Sequence, residues 1–160
     1  MIDDWDQYFM TLSYAIAMKS KDKSITVGCV IVGSDNEILS TGYNSFVRNW
    51  DDNDIKNLER PYKYAITEHS ERNAIYNAAR TGTALKGSRI YLAWHPCSDC
   101  ARALVQSGIS EVIIHKEYPG NGVTQKWLDD RDIANKILTD GGVKLREWAP
   151  HGGPGRHRPA

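Results

Sequence analysis

Apolar positions recur along this chain with the periods of both helices and strands. A stripe at i, i+3, i+4, i+7, i+10 and i+11, which begins with Trp5, predicts an amphipathic helix capped by Asp3 or Asp4. Residues 24–33 are apolar and rich in β-branched side chains, which predicts a buried strand. After a short polar turn, residues 37–43 are predicted to form its antiparallel partner.

Helices and strands alternate in the second half of the chain. Pro96 suits a first helical turn, and Gly82 and Gly108 suit helix ends. The resulting order α-β-β-α-β-α-β-α-β predicts a layered α/β fold with a mixed sheet and helices on both faces. Residues 44–66 have no clear period, and a stretch of this length is often functional. Helices are predicted at 67–80, 96–108 and 123–139, and strands at 89–94, 111–115 and 143–148.

Length and composition predict one globular domain. The chain has 160 residues, of which 41% are apolar and 25% charged, and this supports a single hydrophobic core. We expect the domain to span residues 1–149. Residues 150–160 are rich in Gly, Pro, His and Arg and are expected to form a disordered tail.

The charge balance and the hydropathy pattern limit the classes of partner and the location that we expect. The 20 basic and 20 acidic residues give a formal net charge of zero, whereas proteins that bind nucleic-acid polymers usually have a basic surplus. No polymeric nucleic acid is therefore expected as a partner. No run of 18 apolar residues occurs, and the amino terminus is acidic where a signal peptide is basic. We therefore expect a cytoplasmic protein without a membrane segment.

The three cysteines predict metal or redox chemistry. They are odd in number and few, so a disulfide framework is not expected. Cys97 and Cys100 are spaced i, i+3 in a first helical turn, where the positive helix end lowers thiol pKa values. His69, at the start of the preceding helix, can supply a third ligand. Two thiolates and one imidazole suit zinc, and a fourth position open to water is typical of catalytic zinc.

The cysteine pair and Glu71 each have an explanation other than catalytic zinc. A CxxC pair alone also fits a redox pair or half of a structural zinc site. Glu71 alone would fit an ordinary capping carboxylate. Because Glu71 follows His69 by two residues at a helix start, it can lie beside a zinc-activated water without binding the metal. The combination favours catalytic zinc.

The complete pattern, His69-x-Glu71 with Pro96-Cys97-x-x-Cys100, matches the zinc deaminase signature H-x-E…P-C-x-x-C. The chain resembles the zinc-dependent cytidine/deoxycytidylate deaminase superfamily, and most of all its dCMP deaminases, over residues 4–148. The resemblance implies a three-layer α/β/α cytidine-deaminase-like fold with a central five-stranded mixed sheet.

The resemblance also implies the activity. Members that deaminate dCMP produce dUMP and ammonia, which would place the chain in the supply of dUMP for dTMP synthesis. Zinc would be held by His69, Cys97 and Cys100, with Glu71 as the proton shuttle, and the chain would form homo-oligomers from dimers to hexamers. Another substrate stays open, namely cytidine, dCTP, guanine, a tRNA adenosine or a riboflavin precursor. A non-catalytic zinc-binding domain stays open as well.

Substrate contacts are implied by the flanking segments. Val27, Gly28 and Cys29 resemble the first strand of the family, which lines the base pocket, although Cys29 stands where the family usually has Ala. Asn44 resembles the residue at a strand end that bonds the nucleotide sugar. His95 precedes the motif proline, where small hydroxyl or aromatic residues are more usual, and is included among the substrate contacts.

A cation is expected to hold the 5′-phosphate. Arg48 is the first candidate, because it lies four residues after Asn44 and guanidinium pairs bidentately with phosphate. The alternative candidates are Arg60, Lys63 and Lys116.

Overall fold

Seven strands and five helices are present in the part of the chain that the computed structural model describes, namely residue 2 and residues 4–51, 59–116 and 124–150. Of the expected tail at 150–160, only residue 150 belongs to these ranges. The helices are α1 (Trp5–Ala17), α2 (Tyr62–Ile66), α3 (Ser70–Thr81), α4 (Ser98–Gln106) and α5 (Gln125–Asp140). The strands are β1 (Gly28–Val32), β2 (Ile38–Tyr43), β3 (Ser45–Phe46), β4 (Thr67–Glu68), β5 (Arg89–Leu92), β6 (Glu111–His115) and β7 (Lys144–Trp148).

The central sheet has five strands in the order β2-β1-β5-β6-β7. β1 runs antiparallel to both β2 and β5, whereas β5, β6 and β7 are parallel to one another. The predicted mixed five-stranded sheet is therefore confirmed. The two remaining strands, β3 and β4, form a separate antiparallel pair.

Helices cover both faces of the sheet and complete the predicted three layers. Alternate residues of β1 point to opposite faces, as strand geometry requires. Val30 and Val32 pack with Phe9 and Met10 of α1, whereas Cys29 and Ile31 belong to the core under α3, α4 and α5. Within the described ranges, no helix is both long and apolar enough to cross a bilayer.

Two glycines let helices approach the sheet closely on opposite faces. A Cβ atom at Gly28 would lie 2.2 Å from the carbonyl oxygen of Ser13 in α1, and one at Gly42 would lie 2.1 Å from that of Ser70 in α3. Both separations are far below van der Waals contact. Gly42 therefore allows the first turn of α3 to lie directly against β2.

Several helices and strands begin later in the chain than predicted, because local side-chain interactions and strand pairing fix the preceding residues in other conformations. Asp22 accepts hydrogen bonds from the amides of Ser24 and Ile25, so this segment turns and β1 begins only at Gly28. Residues 67–68, predicted as helix, pair with β3 as the short strand β4, and α3 begins at Ser70. Such a two-residue strand carries no periodicity that a sequence pattern can reveal.

Candidate active site

Two helix starts meet at the candidate metal site. His69 is the N-cap residue of α3 and Cys97 that of α4, both in extended conformation, and neither side chain makes a capping hydrogen bond. Both side chains are thereby left to face each other. The Nδ1 atom of His69 lies 3.5 Å from Sγ of Cys97 and 3.5 Å from Sγ of Cys100. The structure thus brings together all three predicted ligands.

The three residues fit a zinc ion. Ligands on a tetrahedron around zinc, at about 2.0–2.1 Å for nitrogen and 2.3 Å for sulfur, lie about 3.5 Å from one another. The observed nitrogen–sulfur separations of 3.5 Å match this geometry. Because Nδ1 of His69 faces the sulfurs, the ring proton belongs on Nε2 when metal is bound. Two thiolates and an imidazole are a donor set that zinc prefers.

The Cys100 thiol holds a proton that a metal must displace. Without metal, the Cys100 thiol hydrogen-bonds Cys97 and lowers the pKa of Cys97 to about 4. The same hydrogen bond, together with burial, raises the pKa of Cys100. The hydrogen bond to Cys97 likewise raises the pKa of His69. Metal binding at this site therefore releases protons and weakens in acid.

Glu71 occupies the position expected of a proton carrier. It is the second residue of α3 and only 4% exposed, and the Ser70 hydroxyl donates to its Oε2 atom over 2.8 Å. Burial raises the pKa of its carboxyl group above the ordinary value. Since an acid–base catalyst works best with a pKa near the operating pH, this shift suits proton transfer.

A cavity of about 380 Å³ opens beside these residues, a size typical of small-molecule sites. Its walls include His69, Glu71 and Cys97, and it also includes three of the predicted substrate residues, Val27, Asn44 and His95.

The Asn44 amide is already bonded to the chain. Its Oδ1 accepts from the Val27 amide and its Nδ2 donates to the Ile25 carbonyl, both over 2.8 Å. One lone pair and one hydrogen of the Asn44 side chain remain for a ligand.

Other residues predicted to touch substrate lie elsewhere. Gly28 packs against α1, and Cys29 is fully buried, with its thiol donating to the Ser70 carbonyl over 3.2 Å. Neither lines the cavity that contains Glu71. Cys29 instead supports the helix turn that carries Glu71.

The candidate phosphate cations separate into three places. Arg48 lines a neighbouring cavity of about 520 Å³, where its guanidinium donates to Asn77. Lys116 lines a third, smaller cavity. Arg60 and Lys63 line the same cavity as Glu71. Two of the alternatives, and not the first candidate, thus lie in the wall of the cavity that contains Glu71.

Sequence reasoning missed several walls of this cavity. Trp94 and Trp127 lie edge-to-face with their ring centroids 5.4 Å apart, and both line it. Asp22 also lines it and forms a nearly buried ion pair of 2.7 Å with Lys63. Trp94 stands two residues before the motif proline and could have been noticed. Trp127 and Asp22 carry no sequence signal, because only the tertiary fold brings them to the site.

Known proteins share both the sequence pattern and the architecture. Residues 3–116 match the model of the cytidine and deoxycytidylate deaminase zinc-binding region. Deoxycytidylate deaminase of Pongo abelii is 35% identical over 156 residues, covering 92% of this chain and 81% of that protein. The Homo sapiens deoxycytidylate deaminase is 33% identical with the same coverage of both chains.

A solved structure shares the fold. The dCMP deaminase from the cyanophage S-TIM5, in complex with dCMP and dUMP, superimposes with a TM-score of 0.70 at 20% identity, covering 92% of this chain and 99% of that one. The sequence matches decide the family. They agree with the resemblance that His69-x-Glu71 and Pro96-Cys97-x-x-Cys100 indicated. The chain belongs to the zinc-dependent cytidine and deoxycytidylate deaminase family.

Proposed function

We propose that this protein catalyses the hydrolytic deamination of dCMP to dUMP and ammonia. The observation that carries the proposal is a single cavity, of small-molecule size, whose walls include two of the three candidate zinc ligands, His69 and Cys97, together with buried Glu71 and two cations. The names of the two deoxycytidylate deaminases described above support it, as does the structural relative that holds dCMP and dUMP. Cations beside a deaminase centre favour a phosphorylated substrate over a free base.

Glu71 performs the proton transfers of the proposed reaction. Zinc, when bound, supplies a water molecule whose pKa is lowered from 15.7 to about 7, so that it can attack C4 of cytosine at neutral pH. The Glu71 carboxylate takes a proton from this water and delivers it to N3 of the base. It then transfers the second proton to the departing amino group, so that water and dCMP become dUMP and ammonia. Ser70 holds the carboxylate in place for both transfers.

The aromatic walls of the cavity are suited to hold the base. Trp94, His95 and Trp127 contribute three rings, with His95 and Trp127 edge-to-face at 6.1 Å. A flat pyrimidine gains both buried apolar area and ring contacts against such walls. Asn44 keeps one donor and one acceptor for a sugar hydroxyl, as described above.

Arg60 is our proposed phosphate ligand. Lys63 is 6% exposed and already paired with Asp22, whereas the exposed Arg60 guanidinium lies 5.4 Å above the Tyr64 ring. Arg60 can therefore turn its donors to a phosphate, whereas Lys63 would first have to break its ion pair with Asp22. Lys63 stays paired with Asp22, which offsets its charge at the same wall.

Replacement of Arg60 tests the phosphate site. Arg60→Ala should lower kcat/KM for dCMP by about one to two orders of magnitude, because a charged hydrogen bond contributes about 1.5–3 kcal/mol. Deoxycytidine, which has no phosphate, should lose little. Arg48→Ala is the matched control, since its guanidinium lies in the neighbouring cavity. A loss specific to dCMP in Arg48→Ala, with none in Arg60→Ala, would return the phosphate site to Arg48.

A substrate panel tests the function itself. The zinc-loaded protein should deaminate dCMP far faster than deoxycytidine, cytidine, dCTP, adenosine or guanine, as measured by ammonia release. Faster turnover of another compound of the panel than of dCMP would assign this protein a different substrate within the same family. Full zinc occupancy without turnover of any of them would instead indicate a non-catalytic zinc-binding domain.

We further propose a cytoplasmic homo-oligomer built from one deaminase domain over residues 1–149. The zinc thiolates need a reducing compartment, which supports the location. The zero net charge of the chain argues against a polymeric nucleic acid as partner. Light scattering coupled to size-exclusion chromatography gives the oligomeric state, and a monomer at micromolar concentration would contradict this part of the proposal.

A further inference from the structure

The first amide of helix α4 is out of reach of its own N-cap side chain. The N-cap residue is Cys97, whose thiol faces His69. The first amides of any helix lack partners inside the helix, and a side chain at the N-cap position reaches only the amides of the second and third helical residues. The amide of Ser98, the first residue of α4, therefore needs a partner from elsewhere.

That partner comes from α5. The Oδ2 atom of Asp130 accepts the Ser98 amide over 2.9 Å, and its Oδ1 atom accepts the Ser98 hydroxyl over 2.6 Å. Two bonds from one partly buried carboxylate fix both the position and the direction of the Ser98 backbone. Ser98 is bonded covalently to Cys97 and lies two residues before Cys100. We propose that Asp130 is a positioning residue for the zinc site, which sets the geometry of both cysteine ligands through Ser98.

The same helix also holds the chain before Cys97. Asn135 contacts Nε2 of His95 over 2.8 Å, and Trp127 packs edge-to-face on Trp94. Residues 94–98 are thus tied to α5 on both sides of the first cysteine. If Asp130 only joined α4 to α5, its loss would lower the stability of the fold and leave the affinity of the folded protein for zinc unchanged. A positioning role requires the affinity itself to fall.

Zinc affinity is the direct measurement. In competition with a chromophoric chelator, Asp130→Ala should bind zinc about 10–100-fold more weakly, as is typical when a partner that orients metal ligands is removed. Asp130→Asn should keep affinity within about threefold of the parent, because an amide can accept the Ser98 amide and donate to the Ser98 hydroxyl. Recovery in the conservative variant also shows that the site needs the hydrogen bonds and not only the negative charge.

Two control variants separate positioning from stability. Asp129→Asn changes an exposed carboxylate of the same helix, which accepts from Gln125, and should leave zinc affinity unchanged. Asp6→Asn breaks a side-chain network of α1, β5 and β7 that contains none of residues 94–98, and should lower stability without weakening zinc binding. Unchanged zinc affinity in folded Asp130→Ala, or an equal fall in Asp129→Asn, would overturn the proposal.

The inference rests on the zinc site and not on the choice of dCMP as substrate. Chelator competition needs no substrate, so its result stands whichever base the protein deaminates. Failure of the substrate panel and failure of the Asp130 experiment are therefore distinguishable outcomes.

Discussion

Glu71 combines burial, a hydrogen bond from Ser70 and a raised pKa within one side chain. Replacement by Gln keeps the size of the side chain and a hydrogen-bonding oxygen but removes the proton-carrying group. We expect Glu71→Gln to retain zinc, measured by elemental analysis, and to lose at least about 10²–10⁴-fold in kcat. A variant with full zinc content and activity within about tenfold of the parent would remove Glu71 from the mechanism.

Cys100 should contribute to stability as well as to metal binding. Cys100→Ser replaces a thiolate by a hydroxyl that does not ionise near neutral pH, so zinc content and thermal stability should fall together. Cys29→Ser is the matched control, because this fully buried thiol is not one of the candidate metal ligands and donates to the Ser70 carbonyl, and a serine hydroxyl can do the same. Equal zinc content in Cys100→Ser and the parent would contradict the ligand assignment.

The grouping of the three candidate zinc ligands could be predicted from the sequence because each belongs to a local pattern. Cys97 and Cys100 are spaced i, i+3, and His69 stands at a helix start, so the turn itself places the side chains. Arg48 has no such constraint. Its position depends on tertiary contacts, since the Val47 amide bonds the Ile66 carbonyl and Arg48 reaches Asn77 of α3. A distance of four residues from Asn44 could not reveal which cavity Arg48 would enter.

At the scale of elements, the contact between β2 and α3 sets where the catalytic turn lies. A Cβ atom at Gly42 would lie 2.1 Å from the Ser70 carbonyl oxygen and 2.5 Å from the Ala74 amide, both backbone atoms that cannot move alone. Gly42→Ala must therefore push α3 away from the sheet, together with Glu71. We expect a loss of about 1–3 kcal/mol in the free energy of unfolding, and weaker zinc binding as His69 shifts.

Gly28→Ala provides the control for this shift. It produces a clash of the same size, 2.2 Å, with the Ser13 carbonyl on the opposite face, where α1 carries none of the zinc ligands. Both variants should unfold at lower urea concentration than the parent, whereas only Gly42→Ala should bind zinc more weakly in chelator competition. Similar zinc affinities in the two variants would mean that α3 is not positioned by its contact with Gly42.

The element order itself was predictable because long apolar runs with period two or 3.6 determine it. The exceptions were segments whose conformation depends on particular side-chain contacts. Pro96 was expected to open a helix, but the extended backbone of Cys97, ψ 170°, delays α4 to Ser98 and turns the thiol to His69. The extended backbone of Cys97 thus determines both where α4 begins and where the Cys97 thiol lies.

At the scale of the whole molecule, a polar network joins the first helix to the last strand. Asp6 of α1 accepts from the Tyr91 hydroxyl over 2.8 Å and from the Arg146 guanidinium over 3.0 Å. Arg146 of β7 also donates to Glu111 of β6 over 3.1 Å. These contacts connect residues 140 positions apart in sequence. Asp6 therefore helps to close the α1 layer against the sheet.

The network predicts how stability changes in acid. The hydrogen bonds from Arg146 hold the pKa of Asp6 below its ordinary value, so the folded state binds this proton more weakly than the unfolded state. The stabilisation by Asp6 is complete above the unfolded pKa of about 3.9 and is lost as pH falls through the lower folded value.

Asp6→Asn should lower the free energy of unfolding by about 1 kcal/mol at pH 7, since the group is partly exposed, and its deficit should shrink towards pH 3. Urea unfolding of parent and variant at both pH values measures this difference, in which the shared loss of zinc in acid cancels. Asp132→Asn, at an exposed position of α5, should show no deficit at either pH, and a deficit in Asp6→Asn that persists or grows in acid would contradict the assigned role of Asp6.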